Sequence, residues 1–228
     1  MLPCPTSVSR RFSFNSVAGA RLALVGWLTR QLFLPWTPTV GTEMLPEQPM
    51  SMFQAGLSHD VPFTIGTVWN EATIFVYEAF TKPLPALEYD VVLGLIFGVD
   101  DAIKIAEHFP VPKNETKDCR LQAARVATQA LFVCATRNVS LIVSDNQKSP
   151  IHVYHYDHLM SFRKLIWGKN FSICDTEVCH GAELVPVFHP NVTSFGVSYT
   201  ADEQTLSASM ETFWTNEAKY GNPGSFST

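Results

Sequence analysis

The stretch VPFTIGTVWNEATIFVYEA, residues 61–79, decides the fold class. Its first part, Val61–Val68, is short, apolar and rich in β-branched residues, and it follows Asp60, so it predicts a buried strand. In Asn70–Ala79 apolar side chains recur at helical spacing, which predicts a helix. A strand that leads directly into a helix is the unit from which α/β domains are built.

The rest of the chain repeats this alternation. The further predicted elements are one or two helices over Val91–Phe109 with a break near Gly98, a helix over Lys117–Val143, a strand at Ile151–Tyr156 and a helix over Thr200–Tyr220. Before the first strand, the proline-rich segment Leu32–Gln54 predicts an irregular loop, and Ala18–Arg30 is compatible with a short helix. The pattern predicts an α/β fold. A complete sheet has about five strands, however, and only two are predicted here. We therefore expect part of a larger sheet.

Composition excludes several classes of protein. A chain of 228 residues suits one ordinary domain, and its 46% apolar and 12% aromatic content excludes disorder as a class. Sixteen basic and 21 acidic residues give a net charge of −5 with no basic stripe, so we expect no nucleic-acid partner. No uninterrupted apolar run reaches roughly 18 residues, so we expect no membrane span. Charged residues make up only 16%, against about 25% in typical domains, which suggests a partly covered surface.

Four Asn-x-Ser/Thr sequons favour a secreted or lumenal protein, with chance sequons in a cytosolic chain as the alternative. They lie at Asn114, Asn138, Asn170 and Asn191. The N-terminus contains no convincing signal peptide, because Arg21 interrupts its apolar stretch. We therefore expect that an N-terminal part of the natural protein lies outside this sequence.

The five cysteines leave at least one outside any intramolecular pair. Cys174 and Cys179 are close in sequence and favour a small disulfide that would stiffen the loop carrying His180, with two thiols as the alternative. Cys119 and Cys134 lie on one predicted helix, about 20 Å of rise apart, so they can pair only if that helix breaks.

Three segments carry side chains suited to chemistry. GTVWNEA, residues 66–72, places the carboxylate of Glu71 just past the end of the first strand, where α/β folds collect functional groups. CDTEVCHGAEL, residues 174–184, places His180 in a short loop between a cysteine and a glycine. FVCATRN, residues 132–138, lies toward the end of the long helix.

These segments resemble the type-B carboxylesterase and cholinesterase family of α/β-hydrolases. Gly66-Thr67…Glu71-Ala72 is similar to the family's G-T-N-x-x-E-G/A, and His180–Phe188 is similar to its H-G-x-E-L/I-x-x-V-F. FVCATRN, IHVYHYDH and WTNEAKYGNP look like three further family motifs, in the family's order. The resemblance covers residues 32–224 and implies that 32–228 form the C-terminal part of an α/β-hydrolase fold, with 1–31 unassigned.

The resemblance also implies a Ser–Glu–His triad in the intact fold. Glu71 would orient the imidazole of His180, and His180 would take a proton from a serine and pass it to the leaving group. The substrates would be small carboxylic esters, and the family needs no cofactor. In cholinesterases the cysteine of the F-x-C motif pairs further toward the C-terminus; no cysteine follows Cys179, so that bond does not transfer.

The nucleophile is the missing part. The 228 residues contain no G-x-S-x-G and no Gly-Gly pair for an oxyanion hole; GLSHD, residues 56–60, lacks the closing glycine. We therefore expect no ester hydrolysis by this chain alone. The alternatives are a non-catalytic recognition or adhesion module, as in the neuroligin branch of the family, and a hydrolase completed by a second chain.

Simpler interpretations exist for each candidate. Glu71 could serve as a helix N-terminal carboxylate and His180 as a structural histidine. A metal site built from His152, His155, Asp157 and His158 is disfavoured, because His152 and His155 point to opposite faces of a strand. An exposed edge on Val61–Val68 would favour marginal stability or self-association.

Overall fold

The computed structural model describes residues 38–113 and 117–224. The helices are α1 (Pro49–Gln54), α2 (Thr73–Ala79), α3 (Ala86–Phe97), α4 (Val99–His108), α5 (Arg120–Ala127), α6 (Cys134–Asn146), α7 (Arg163–Trp167), α8 (Leu184–Phe188) and α9 (Ala201–Tyr220). A π-helical segment, Thr128–Val133, joins α5 to α6, and 3₁₀ turns occupy Lys169–Asp175 and Thr193–Phe195. The mixed helix-and-strand class predicted from the sequence is confirmed.

Two parallel strands form the sheet of the described residues. β1 (Phe63–Val68) pairs with β2 (Ile151–Tyr156) in a register that sets Phe63 opposite Ile151 and Val68 opposite Tyr156. The ladder continues one residue further, where the N–H of Trp69 donates to the carbonyl of Tyr156 at 2.9 Å. Because the strands are parallel, their carboxyl ends lie side by side, and the polar residues that follow β1 begin at that edge.

The sheet needs a glycine at its centre. Gly66 lies opposite Tyr154, and a Cβ on Gly66 would overlap the Tyr154 ring. Tyr154 in turn meets Trp214 of α9 edge to face, with ring centroids 5.1 Å apart. The glycine thus lets an aromatic side chain lie flat on the strand and join the sheet to α9.

A buried carboxylate holds the start of α9. Thr200 and Glu203 form a capping box, in which the Thr200 hydroxyl accepts from the Glu203 N–H and the Glu203 carboxylate accepts from the Thr200 N–H. Glu203 also accepts hydrogen bonds from the N–H and hydroxyl of Ser161, which follows β2. Burial alone would raise the pKa of Glu203, but the bonds from Thr200 and Ser161 outweigh it and hold the pKa below its usual value.

The chain divides into two compact units. Among the described residues, one unit comprises 38–48, 75–113 and 117–135, and its core includes Leu84, Tyr89 and Leu93. The other comprises Pro49–Ile74 and 136–224 and contains the sheet, α9, Glu71 and His180. Its core is formed by Val68, Tyr156, Val178, Ala182, Val187 and Met210.

Several predicted elements differ from those in the structure, and one lies outside the described residues. The proline-rich segment contains helix α1, because Pro49 at its first position loses no helical hydrogen bond. The long predicted helix carries the π-helical segment and runs on to Asn146. The break near Gly98 is present: Gly98 has φ 82° between α3 and α4. The helix suggested for Ala18–Arg30 lies outside the described residues.

One helical stretch has the length and composition of a membrane span. Arg120–Asn146 is 27 residues long and apolar enough to cross a bilayer. Core helices of soluble proteins pass the same test, so this is weak evidence, and nothing shows that the stretch crosses a membrane.

We predict that Gly66→Ala destabilises the chain because the new methyl displaces the Tyr154 ring from the strand. The free energy of unfolding should fall by roughly 1–3 kcal/mol, measured by urea unfolding. Gly94→Ala is the matched control: Gly94 lies in α3 with open space at its Cβ position, so alanine there should be neutral or slightly stabilising. Equal losses in both variants would contradict the prediction.

Candidate active site

Glu71 is held at the carboxyl end of the sheet by its own strand. It lies three residues beyond β1 and is 5% exposed. Its Oε1 accepts a hydrogen bond from the N–H of Val68 at 2.8 Å, so the side chain folds back over the strand end. This bond fixes one carboxylate oxygen and leaves Oε2 directed to the loop that carries His180.

The loop of His180 is stiffened on both sides of the imidazole. Cys174 and Cys179 form a disulfide with Cα atoms 5.7 Å apart, so the predicted pairing is present. Both cysteines are fully buried, and the second directly precedes His180. Gly181 follows with φ 84°, a conformation that favours glycine, and turns the chain toward α8.

The structure brings Glu71 and His180 together across 109 residues of sequence. His180 Nδ1 lies 2.5 Å from Glu71 Oε2. The hydrogen bond with Glu71 raises the pKa of His180 above its ordinary 6.5, burial opposes that rise, and the charges of Glu71 and Glu183 add to it. The His180 side chain is 46% exposed, whereas that of Glu71 is 6% exposed. A buried carboxylate that orients a half-exposed imidazole has the geometry of an acid–base pair.

Asn70 is a further residue at this place, and the sequence analysis missed it. Its N–H donates to the carbonyl of Val178 at 3.0 Å, and its Oδ1 accepts from the N–H of Val178 at 3.0 Å. Asn70 is 4% exposed. The sequence shows only that a polar residue lies between a strand end and a candidate acid, and it does not show which group that residue binds.

Residues 19–228 match the family model described as the carboxylesterase family. The chain belongs to the carboxylesterase family. It is 32% identical over 192 residues to the crystal protein and 30% identical over 192 residues to the cAMP-regulated D2 protein, both of Dictyostelium discoideum. Each match covers 84% of this chain and 34% of the relative.

Solved carboxylesterase structures share the fold. A PNB esterase aligns with a TM-score of 0.55 at 24% identity, covering 81% of this chain and 34% of its own. This likeness confirms the α/β-hydrolase fold. The chain spans about a third of the length of the relatives it matches.

The other predicted sites of this chain are the four sequons and the cysteines Cys119 and Cys134. Asn170 and Asn191 are exposed and Asn138 is half-buried in α6, whereas Asn114 lies outside the described residues. All four remain predictions as glycosylation sites. Cys119 and Cys134 are not bonded to each other.

The histidines near β2 point to separate partners. His152 Nδ1 lies 3.6 Å from a carboxylate oxygen of Glu217, and His155 Nδ1 lies 3.0 Å from the hydroxyl of Thr67. Within residues 38–113 and 117–224 no group of three or more His, Cys, Asp or Glu side chains could hold a metal ion.

We predict that Glu71→Gln lowers the pKa of His180 because the variant loses the charge that favours the imidazolium. The measurement is NMR titration of the His180 ring, identified as the signal that disappears in His180→Gln. Glu183→Gln should lower the same pKa by less, since Glu183 acts on His180 by charge alone. An unchanged His180 titration in Glu71→Gln would show that the 2.5 Å contact does not form in solution.

We also predict a pH-dependent contribution of His180 to stability. Because its pKa is raised on folding, the stabilisation is complete below the unfolded value of 6.5 and is lost as pH rises through the folded pKa. The free energy of unfolding of the wild type relative to His180→Gln, measured from about pH 6 to about pH 9, should therefore fall with increasing pH. A difference in the free energy of unfolding that stays constant or grows with pH would contradict this prediction.

Proposed function

We propose that this chain supplies the acid and the base of a serine ester-hydrolase site. The observation that carries the proposal is the 2.5 Å contact between Glu71 Oε2 and His180 Nδ1. A proton on Nδ1, held by the carboxylate, leaves Nε2 as the basic nitrogen. The pair has the order acid then histidine in the chain, as α/β-hydrolases do.

The roles of the two residues follow from that tautomer. His180 Nε2 accepts the proton of a serine hydroxyl while the serine oxygen attacks the acyl carbon, and it returns the proton to the departing alcohol. Water then repeats the sequence on the acyl-enzyme and releases the acid. Glu71 stays ionised throughout and stabilises the imidazolium by charge and hydrogen bonding.

The serine and the oxyanion donors must come from another part of the family fold, since the sequence contains no G-x-S-x-G and no Gly-Gly pair. We propose that the chain alone does not turn over esters by the family route, and that a polypeptide with the remaining two-thirds would complete the site. Small carboxylic esters are the proposed substrates; relatives include an acylcarnitine hydrolase of Rattus norvegicus, 24% identical.

A secreted or lumenal location is proposed as well. The Cys174–Cys179 disulfide persists in oxidising compartments, and the exposed sequons at Asn170 and Asn191 are accessible to glycosylation.

A second candidate function is recognition without catalysis, including self-association. The observation that favours it is a row of exposed apolar side chains at intervals of four along α3, namely Leu87, Val91 and Leu95, which are 76%, 53% and 66% exposed. Such a row is typical of a surface that contacts another protein.

Co-expression with the N-terminal two-thirds of a matched carboxylesterase separates these functions. We predict that the chain alone hydrolyses p-nitrophenyl esters no faster than its His180→Gln variant. The co-expressed pair should hydrolyse them and bind an organophosphate, and His180→Gln should reduce turnover by at least about 10³-fold. His152→Gln is the matched control and should retain activity.

Two results would contradict the catalytic proposal. The first is hydrolysis by the chain alone that His180→Gln abolishes, since it would mean a nucleophile within these 228 residues. The second is an active pair that is insensitive to His180→Gln. A pair that assembles without activity would favour the recognition function.

A further inference from the structure

We propose that Asn70 is a positioning residue that holds the His180 loop in register with Glu71. The inference rests on the proposed function, because it assigns to Asn70 the task of maintaining the acid–base contact. Asn70 directly precedes Glu71, and its partner Val178 lies two residues before His180. Glu71 is therefore one residue from Asn70, and His180 is two residues from Val178.

Asn70 and Val178 are joined by two hydrogen bonds in opposite directions. The backbone N–H of Asn70 donates to the Val178 carbonyl, and the side-chain Oδ1 of Asn70 accepts from the Val178 N–H, each at 3.0 Å. Asn70 is 4% and Val178 5% exposed, so water cannot readily replace either bond. A residue without an acceptor at this position would leave the Val178 N–H buried without its present partner, which destabilises the native position of the loop.

The side chain is needed because the sheet does not extend to this loop. β1 pairs with β2 as far as the bond from Trp69 to Tyr156, and beyond it Asn70 forms an isolated parallel bridge with Cys179. A single bridge offers few backbone bonds, and the amide oxygen of Asn70 adds one that the backbone alone does not supply.

The disulfide cannot perform the same task. Cys174 and Cys179 both belong to the loop, so their bond restrains the loop internally and does not tie it to β1. Val178 also belongs to the apolar cluster that contains Val68, but apolar packing lacks direction. Asn70 contributes the directional link between the strand that carries the acid and the loop that carries the base.

The neutrality of the amide also matters at this position. An ionised carboxylate would offer the same acceptor but would add a second buried negative charge next to Glu71. Asn70→Asp is therefore the conservative variant: it keeps the acceptor, and the added charge favours the imidazolium of His180.

The test is the NMR titration of His180 together with hydrogen exchange of the Val178 amide. In Asn70→Ala we expect the pKa of His180 to lie below the wild-type value and above that of Glu71→Gln, and the Val178 amide to exchange about tenfold faster. In Asn70→Asp we expect protection of Val178 to be retained and the pKa of His180 to be at or above the wild-type value. Gln122→Ala is the matched control, since it removes another buried amide, which donates to the carbonyl of Pro110, and should change neither signal.

The outcomes separate this inference from the proposed function. If Glu71→Gln lowers the pKa of His180 and Asn70→Ala does not, the acid–base pair stands and the role of Asn70 is wrong. If Glu71→Gln also leaves that pKa unchanged, the proposed function fails first. Should Asn70→Ala not fold, Asn70→Ser takes its place, because the serine hydroxyl is about 1 Å too short to reach Val178, and the same results are expected.

Discussion

The parallel pairing of β1 with β2 is the constraint on which the candidate site depends. It sets Val68 opposite Tyr156, so both strands end at one edge. The position of the Glu71 carboxylate is then fixed, because its Oε1 accepts a hydrogen bond from the N–H of Val68, the last residue of β1. A register shift of one residue would move every side chain of β1 to the opposite face of the sheet. It would also place a residue other than Gly66 opposite Tyr154.

The same constraint explains why the imidazole needs separate restraints. His180 lies in a loop outside the ladder, and a loop of this kind would sample many positions around a fixed acid. The disulfide reduces the freedom of the loop before His180, and the positive φ of Gly181 directs the chain away after it. The two hydrogen bonds between Asn70 and Val178 then attach this restrained loop to the end of β1.

Much of the framework was predictable from local sequence. The β-branched run of β1 and the sequence IHVYHY of β2 predicted both strands almost to the residue, because period and composition are local signals. Helix α1 was missed because the segment contains three other prolines, and Pro49 was not recognised as a proline that is harmless at a first helical position. The π-helical segment Thr128–Val133 has no composition that distinguishes it from the α-helix on either side.

The candidate site was predictable only in part. Glu71 and His180 were identified by their resemblance to family motifs, since 109 residues of separation carry no local signal of contact. Asn70 was not predicted because its partner is a backbone group. The hydrogen bond depends on where the N–H of Val178 lies, and no side chain in the sequence indicates that position. Hydrogen bonds of this type can be read only from three-dimensional structure.

The placement of these restraints within one unit of the chain has a physical consequence. β1, β2, Asn70, Glu71 and the disulfide loop all belong to one compact unit of the chain, Pro49–Ile74 with 136–224. The contact that raises the pKa of His180 is therefore formed by groups within that unit and needs no serine to hold it. In the function proposed above, an acid–base pair that is already aligned within its own unit needs no binding energy from a substrate or from a second polypeptide for that alignment.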